Sequence, residues 1–213
     1  MLKSTNPAEI RILIVDDHPM LREGIAAVIA NESDMALVGE ASNGEEGIER
    51  FRTLQPDVTL MDLQMPGMDG IEAITAIRAE TPDAKILVLT TYAGDAQALR
   101  ALRAGAAGYL LKSSLRVELM DSVRAVYQGQ RAVAAPVAHE IAIHAATEPL
   151  SDREISVLKQ VALGRANKEI GRALTIGEET VKSHLKNIYA KLNVDDRAHA
   201  VTVASRRGII TLR

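Results

Sequence analysis

Over its first 128 residues the sequence repeats one motif five times: a short apolar run, then a longer stretch with helical spacing. Residues 12–15 are wholly apolar, as a strand covered on both faces must be. Leu21, Ile25, Val28 and Ile29 then recur at the three- and four-residue steps of a helix face. Further strands are expected at 36–40, 58–61, 86–90 and 108–111, with helices at 44–54, 70–80, 95–104 and 114–128. Because crossovers between parallel strands are right-handed, this order predicts a doubly wound α/β fold with a five-stranded parallel sheet.

The pattern breaks at residues 129–149, which are alanine-rich, hold two prolines and show no sustained period. These residues read as a linker, with room for a loose helix near 137–143. Beyond it, Ser151 and Glu154 have the spacing of a capping box that opens a helix ending near Gly164. Asn167 is placed to cap a second, short helix to Leu174. Residues 175–177 form a turn before a third helix over 178–192, with Glu178 and Glu179 at its positive end. Asp195 or Asp196 caps a fourth helix that stops at Gly208. The expected organisation is therefore a first domain over 1–128, a linker over 129–149 and an all-α four-helix domain over 150–213.

Charge divides along the same line. Residues 1–128 carry 12 Lys and Arg against 19 Asp and Glu, a net of −7, whereas residues 151–213 carry 12 against 7, a net of +5. A basic C-terminal part suits an anionic partner, although chance surface charge gives the same figures. No cysteine is present, which excludes disulfide scaffolds, zinc–thiolate sites and thiol catalysis. No apolar stretch approaches the roughly 18 residues of a membrane span, so a cytoplasmic protein with no membrane partner is expected.

In sheets of this kind ligands bind beyond the carboxyl ends of the strands, where the strand order reverses. Asp16 and Asp17 follow the first strand, Asp62 the third, and Thr90 and Lys112 close the fourth and fifth. Crowded carboxylates repel and raise one another's pKa unless a cation joins them, and Mg²⁺ with oxygen ligands is the common intracellular solution. Such a pocket suits phosphoryl transfer to Asp62 as nucleophile, with Lys112 neutralising the phosphoryl oxygens and the Thr90 hydroxyl donating to them. Singly, an acidic pair is usually a solvated turn, and a strand-end Lys or Thr a surface residue. It is their joint placement that indicates a site.

The runs Val15-Asp-Asp-His-Pro19, Met61-Asp-Leu-Gln-Met-Pro66, Leu89-Thr-Thr91 and Gly108-Tyr-Leu-Leu-Lys112 resemble the receiver domain of two-component response regulators, a flavodoxin-like fold. The resemblance implies that Asp62 accepts phosphate from a histidine kinase. It also implies that Asp17, Asp62 and the Gln64 carbonyl bind Mg²⁺, with Asp16 acting largely through water. Thr90 and Tyr109 match the switch pair of that family; Tyr109 reads equally as packing on a short strand. Ser113 stands where many receivers have proline.

On the third C-terminal helix Val181, Leu185, Ile188 and Leu192 fall on one stripe, while Lys182, Ser183, Lys186 and Asn187 lie opposite. A solvated amphipathic helix gives the same pattern. The preceding short helix and turn favour a recognition helix in the major groove of double-stranded DNA. Leu150-Ser-Asp-Arg-Glu154, Asn167-Lys-Glu-Ile170, Thr180-Val-Lys-Ser-His-Leu185 and Lys191-Leu-Asn-Val194 resemble the LuxR-type helix-turn-helix, as in the NarL/FixJ-like subclass. That resemblance implies DNA contacts by Lys182, Ser183 and Lys186 and a homodimer through the last helix. Gly171, where alanine is usual, costs about 1 kcal/mol of helix propensity, and Gly177 takes a cap position often held by serine.

His139-Glu-Ile-Ala-Ile-His144 places its histidines five apart, one too many for a zinc-protease helix. His18 reads as a loop residue beside the pocket. Two rivals stay open: a DNA-binding dimer whose receiver is a phosphorylation-independent scaffold, and an aspartyl-phosphate phosphatase. The second usually needs an acid where Gln64 stands. The expected protein is not an enzyme but a phosphorylation-dependent transcription regulator, in which phosphorylation acts either by promoting dimers or by altering domain packing to release a recognition helix masked by the receiver.

Overall fold

The computed structural model describes residues 9–91, 94–144 and 148–210. The chain forms two compact units, and along the linker the division falls between Ala135 and Pro136.

The first unit is built on a parallel sheet of β1 (Ile10–Val15), β2 (Met35–Ala41), β3 (Val58–Asp62), β4 (Ile86–Thr90), β5 (Gly108–Leu111) and β6 (Ala132–Val133). Their spatial order is β2-β1-β3-β4-β5-β6. The connections carry α1 (Pro19–Ile29), α2 (Gly44–Leu54), α3 (Gly70–Glu80), α4 (Asp95–Arg103) and α5 (Leu115–Tyr127). β3 and β4 are buried at every residue, which is why their sequences run apolar without alternation. Ile12–Val15 is likewise enclosed, and Ile48 and Phe51 of α2, Ile74 and Ile77 of α3, and Leu119 and Val123 of α5 are buried on their helices. Each such side chain contributes about 1.5–3 kcal/mol on leaving water.

Local caps fix where the helices begin. The Asn43 side chain accepts from the Glu46 N–H at the start of α2, and Asp69 and Glu72 form a reciprocal capping box on α3. Arg124 of α5 holds Asp34 through Nε and Nη2, and that hydrogen bonding keeps the Asp34 carboxyl below its ordinary pKa.

The region expected to be a plain linker contains structure. β6 adds a sixth strand, with the Ala132 N–H donating to Ala107 O and the Ala134 N–H to Tyr109 O at 3.0 Å. α6 (Ala135–His144) follows, longer than the loose helix expected near 137–143. A two-residue strand is too short to show a period. An alanine-rich helix can form on propensity without an amphipathic stripe.

The second unit contains α7 (Asp152–Ala162), α8 (Asn167–Leu174), α9 (Glu178–Leu192) and α10 (Arg197–Arg206) around Val157, Leu158, Ile170, Val181, Leu185 and Ile188. The Ser151–Glu154 capping box is present, and the Asp196 side chain caps α10 through the His199 N–H. Burial works against the Glu154 carboxylate, but the Ser151 N–H and the Lys191 ammonium 3.0 Å away outweigh it, leaving its pKa below normal. Asn167 does not cap α8. Ala166 is the cap residue and the Glu169 carboxylate accepts its N–H, while Asn167 Oδ1 accepts from Arg197. Glu169 supplies one half of a capping box, while its own N–H bonds to the Ala166 carbonyl oxygen instead of a cap side chain.

The turn between α8 and α9 explains Gly171. A Cβ there would stand 2.7 Å from the Ile176 carbonyl oxygen, so the glycine accommodates the turn at the expense of helix propensity. Thr175, which ends α8, has φ 56°, a left-handed conformation that a β-branched residue adopts at a cost of about 1 kcal/mol. Asparagine tolerates this conformation. Thr175→Asn is therefore expected to raise the melting midpoint of this unit by about 4–8 °C per kcal/mol recovered, as read by calorimetry. A midpoint unchanged or lowered would count against strain at this position.

Candidate functional site

The strand order reverses between β1 and β3, and the acidic residues converge at the carboxyl ends of those two strands. Asp16 is fully buried and Asp62 nearly so, while Asp17 is partly exposed. One ligand atom from each of Asp16, Asp17, His18 and Asp62 can be chosen so that all lie within 4.8 Å of one another. Lys112 Nζ, just past β5, stands 2.8 Å from Asp16 Oδ2 and 2.7 Å from Asp62 Oδ2. One ammonium thus bridges two carboxylates from different strands.

Electrostatics follow from this crowding. Burial pushes the Asp62 carboxyl above its ordinary pKa, and the Lys112 ammonium partly offsets it. Burial also disfavours charge on Lys112, but its hydrogen bonds to Asp16 and Asp62 prevail and raise its pKa. The Gln64 N–H donates to Asp62 Oδ1 at 3.3 Å, and its side chain is exposed. Asp16 Oδ2 and Asp17 Oδ1 are buried and make no hydrogen bond of good angle, although cationic or ring nitrogens lie close by. Buried carboxylate oxygens left so are a donor set suited to a hard divalent cation.

Thr90, at the end of β4, is fully buried, as is Tyr109 on β5, and their side chains are hydrogen-bonded to each other. Burial pushes the Tyr109 phenol up to about 12.

Two supporting residues, Arg22 and Gly70, were not singled out from sequence, and His18, read only as a loop residue beside the pocket, is tied into it. The His18 N–H donates to Asp16 Oδ1 at 2.9 Å, and its Nδ1 lies 3.1 Å from that oxygen and 2.7 Å from Asp17 Oδ1. Arg22, one turn into α1, donates from Nη1 to the Asp16 carbonyl at 2.7 Å. A Cβ on Gly70 would stand 2.0 Å from the Asp62 carbonyl, so α3 can start this close to the acid only with glycine there. The Pro19 that follows His18 was the available signal, because it restricts the preceding residue to extended backbone.

In the second unit the stripe divides as expected. Val181, Leu185, Ile188 and Leu192 are buried, while Lys182, Ser183, Lys186 and Asn187 are exposed on α9. Lys182 is not a free cation, since its Nζ lies 2.6 Å from Glu179 and 3.9 Å from Glu178. An exposed pair of this kind is weak enough for a phosphate to displace it.

Residues 12–124 match the family described as "Response regulator receiver domain", and residues 148–204 match "Bacterial regulatory proteins, luxR family". The transcriptional regulatory protein LiaR of Bacillus subtilis is 42% identical over 209 residues, spanning 94% of this chain and 99% of LiaR. The response regulator protein VraR of Staphylococcus aureus is 39% identical over 206 residues, spanning 94% and 99%. Among solved structures, RcsB of Salmonella enterica serovar Typhimurium, bound to a promoter in the presence of the phosphomimetic BeF3−, has a TM-score of 0.73 and 27% identity. That likeness covers 93% of this chain and 98% of the RcsB chain. With an acidic pocket at the sheet's switch point and a cationic helix face in a separate unit, the chain belongs to the two-component response regulators, as a transcription regulator with a receiver domain and a LuxR-type DNA-binding domain.

Proposed function

We propose that Asp62 is the phosphoacceptor and that its phosphorylation by a histidine kinase alters DNA binding through α9. The observation that carries this reading is the Lys112 ammonium held within 2.8 Å of both Asp16 and Asp62. An Asp62 oxygen attacks the phosphorus of a phosphohistidine whose ring carries a proton on its other nitrogen, the P–N bond breaks, and neutral imidazole leaves. Lys112 lies where charge builds on the equatorial oxygens. Asp16, Asp17, Asp62 and the Gln64 carbonyl would hold Mg²⁺, whose chemistry there is to neutralise phosphoryl oxygens. The Thr90 hydroxyl donates to the new phosphoryl group, which alters its contact with the Tyr109 phenol and makes the two a switch pair.

In functional terms residues 1–128 are the receiver, 129–149 the linker and 150–213 the DNA-binding part of a cytoplasmic protein. Lys182, Ser183, Lys186 and Asn187 face the major groove. A single small basic module binds duplex DNA weakly, so a phosphorylation-favoured homodimer that joins two modules gains effective concentration at a two-fold site.

Acetyl phosphate with Mg²⁺, followed by intact-mass measurement, tests the acceptor. The wild type should carry a phosphoryl adduct that Asp62→Asn lacks, and Lys112→Ala should slow its formation about a hundredfold while keeping a native circular dichroism spectrum. A wild type that takes up no phosphoryl group would favour the scaffold reading, and steady release of phosphate from a monoester would favour a phosphatase.

For the DNA face, Lys182→Ala and Lys186→Ala should each weaken binding across sequences and reduce the salt slope of log K by about 1. Titrations at several salt concentrations read this directly. Slopes equal to wild type in both variants would remove α9 from the phosphate contacts.

A further inference from the structure

The mouth of the acidic pocket carries a nitrogen donor. His18 Nδ1 stands 2.7 Å from Asp17 Oδ1 and 3.1 Å from Asp16 Oδ1, while most of the side chain, 64%, is open to solvent. Neighbouring ligands on an octahedral divalent ion bound at about 2.0–2.1 Å are about 3 Å apart. The ring nitrogen is therefore at ligand spacing from two carboxylate oxygens at once. Its position is built in by local structure. His18 is the cap residue of α1, held extended (φ −94°, ψ 105°) by the proline that follows, and its own N–H is tied to Asp16 at 2.9 Å. Asp16 in turn is fixed by Arg22 through its carbonyl and by Lys112 through Oδ2.

We infer that His18 is a metal-selectivity residue of this pocket, supplying an imidazole ligand that favours borderline divalent ions such as Mn²⁺ and Co²⁺ over Mg²⁺. The inference rests on the cation reading of the pocket given above and extends it. Carboxylate, carbonyl and water ligands suit Mg²⁺, whereas imidazole raises affinity for later first-row ions. A pocket with carboxylates alone discriminates among these ions less. The plain alternative is a surface imidazole paired with two acids, which would leave the choice of ion unchanged.

Full-length protein stripped of metal by chelation separates these readings. Affinities for Mg²⁺ and Co²⁺ are measured by calorimetry in the wild type, His18→Asn, which puts a favourable cap residue at the start of α1, and Asp17→Asn. Pulsed EPR of bound Mn²⁺ looks for coupling to ring nitrogen. The wild type should show nitrogen coupling. His18→Asn should lose that coupling and about tenfold in Co²⁺ affinity, with Mg²⁺ affinity held within about twofold, and Asp17→Asn should weaken both ions. If Mg²⁺ and Co²⁺ bind the wild type but His18→Asn leaves their ratio and the EPR spectrum unchanged, the inference is overturned and the cation pocket stands. If neither ion binds the wild type, or Asp17→Asn binds both as well as wild type does, the cation reading falls and takes the inference with it.

Discussion

The ammonium of Lys112 lies between the carboxylates of Asp16 and Asp62, and the chemistry of the first unit is arranged around that contact. Three parallel strands have to end at the same level for it to form. Their registers ensure this, with Val15 beside Met61 and Asp62 beside Leu89, and Leu111 beside Thr90. The cation makes it tolerable to bury Asp16 completely, and it limits how far burial raises the pKa of Asp62. On the proposed reading, a phosphoryl group arriving at Asp62 would meet a cation already in place, so little of the pocket would need to reorganise as charge develops.

The second unit solves a different problem with one helix. α9 must bury a stripe to hold four short helices together and yet present cations outward. The 3.6-residue period allows both, with Val181, Leu185, Ile188 and Leu192 in the core and Lys182 and Lys186 opposite. Glu178 and Glu179 favour the positive end of the helix, but Glu179 also holds Lys182 in its apo orientation. If Lys182 contacts DNA as proposed, helix stability and DNA affinity pull on the same lysine, and the exposed geometry keeps that conflict small.

What the sequence made legible was whatever periodicity and spacing encode. The apolar stretches of β3 and β4, the amphipathic stripe of α9 and the capping box at Ser151 each carry their own local signal. The pocket residues were legible as a set because strand ends in a parallel sheet share one edge. Contacts made by backbone or by neighbours distant in sequence were not. β6 is defined by hydrogen bonds to β5 alone, Gly70 by its approach to the Asp62 carbonyl, and Asn167 lies one residue past the cap, Ala166, with its oxygen accepting from Arg197. His18 was seen as beside the pocket, yet nothing in the sequence reports the turn of its ring towards Asp17.

β6 bears on what kind of motion the pocket can transmit. β5 is bonded on both edges, to β4 through Val88 and Tyr109 and to β6 through Tyr109 and Val133, with the Tyr109 carbonyl also accepting from Ala134. Gly108 keeps this edge close, since a Cβ there would stand 2.5 Å from the Ala132 carbonyl. A strand clamped on both sides does not shift without breaking several backbone bonds in a buried place, at about 1–3 kcal/mol for each group left unpaired. Rotation of one aromatic side chain breaks none of them. If the proposed chemistry at Asp62 reaches Tyr109 through Thr90, it acts on the phenol side chain. The backbone that carries the tyrosine stays with the sheet.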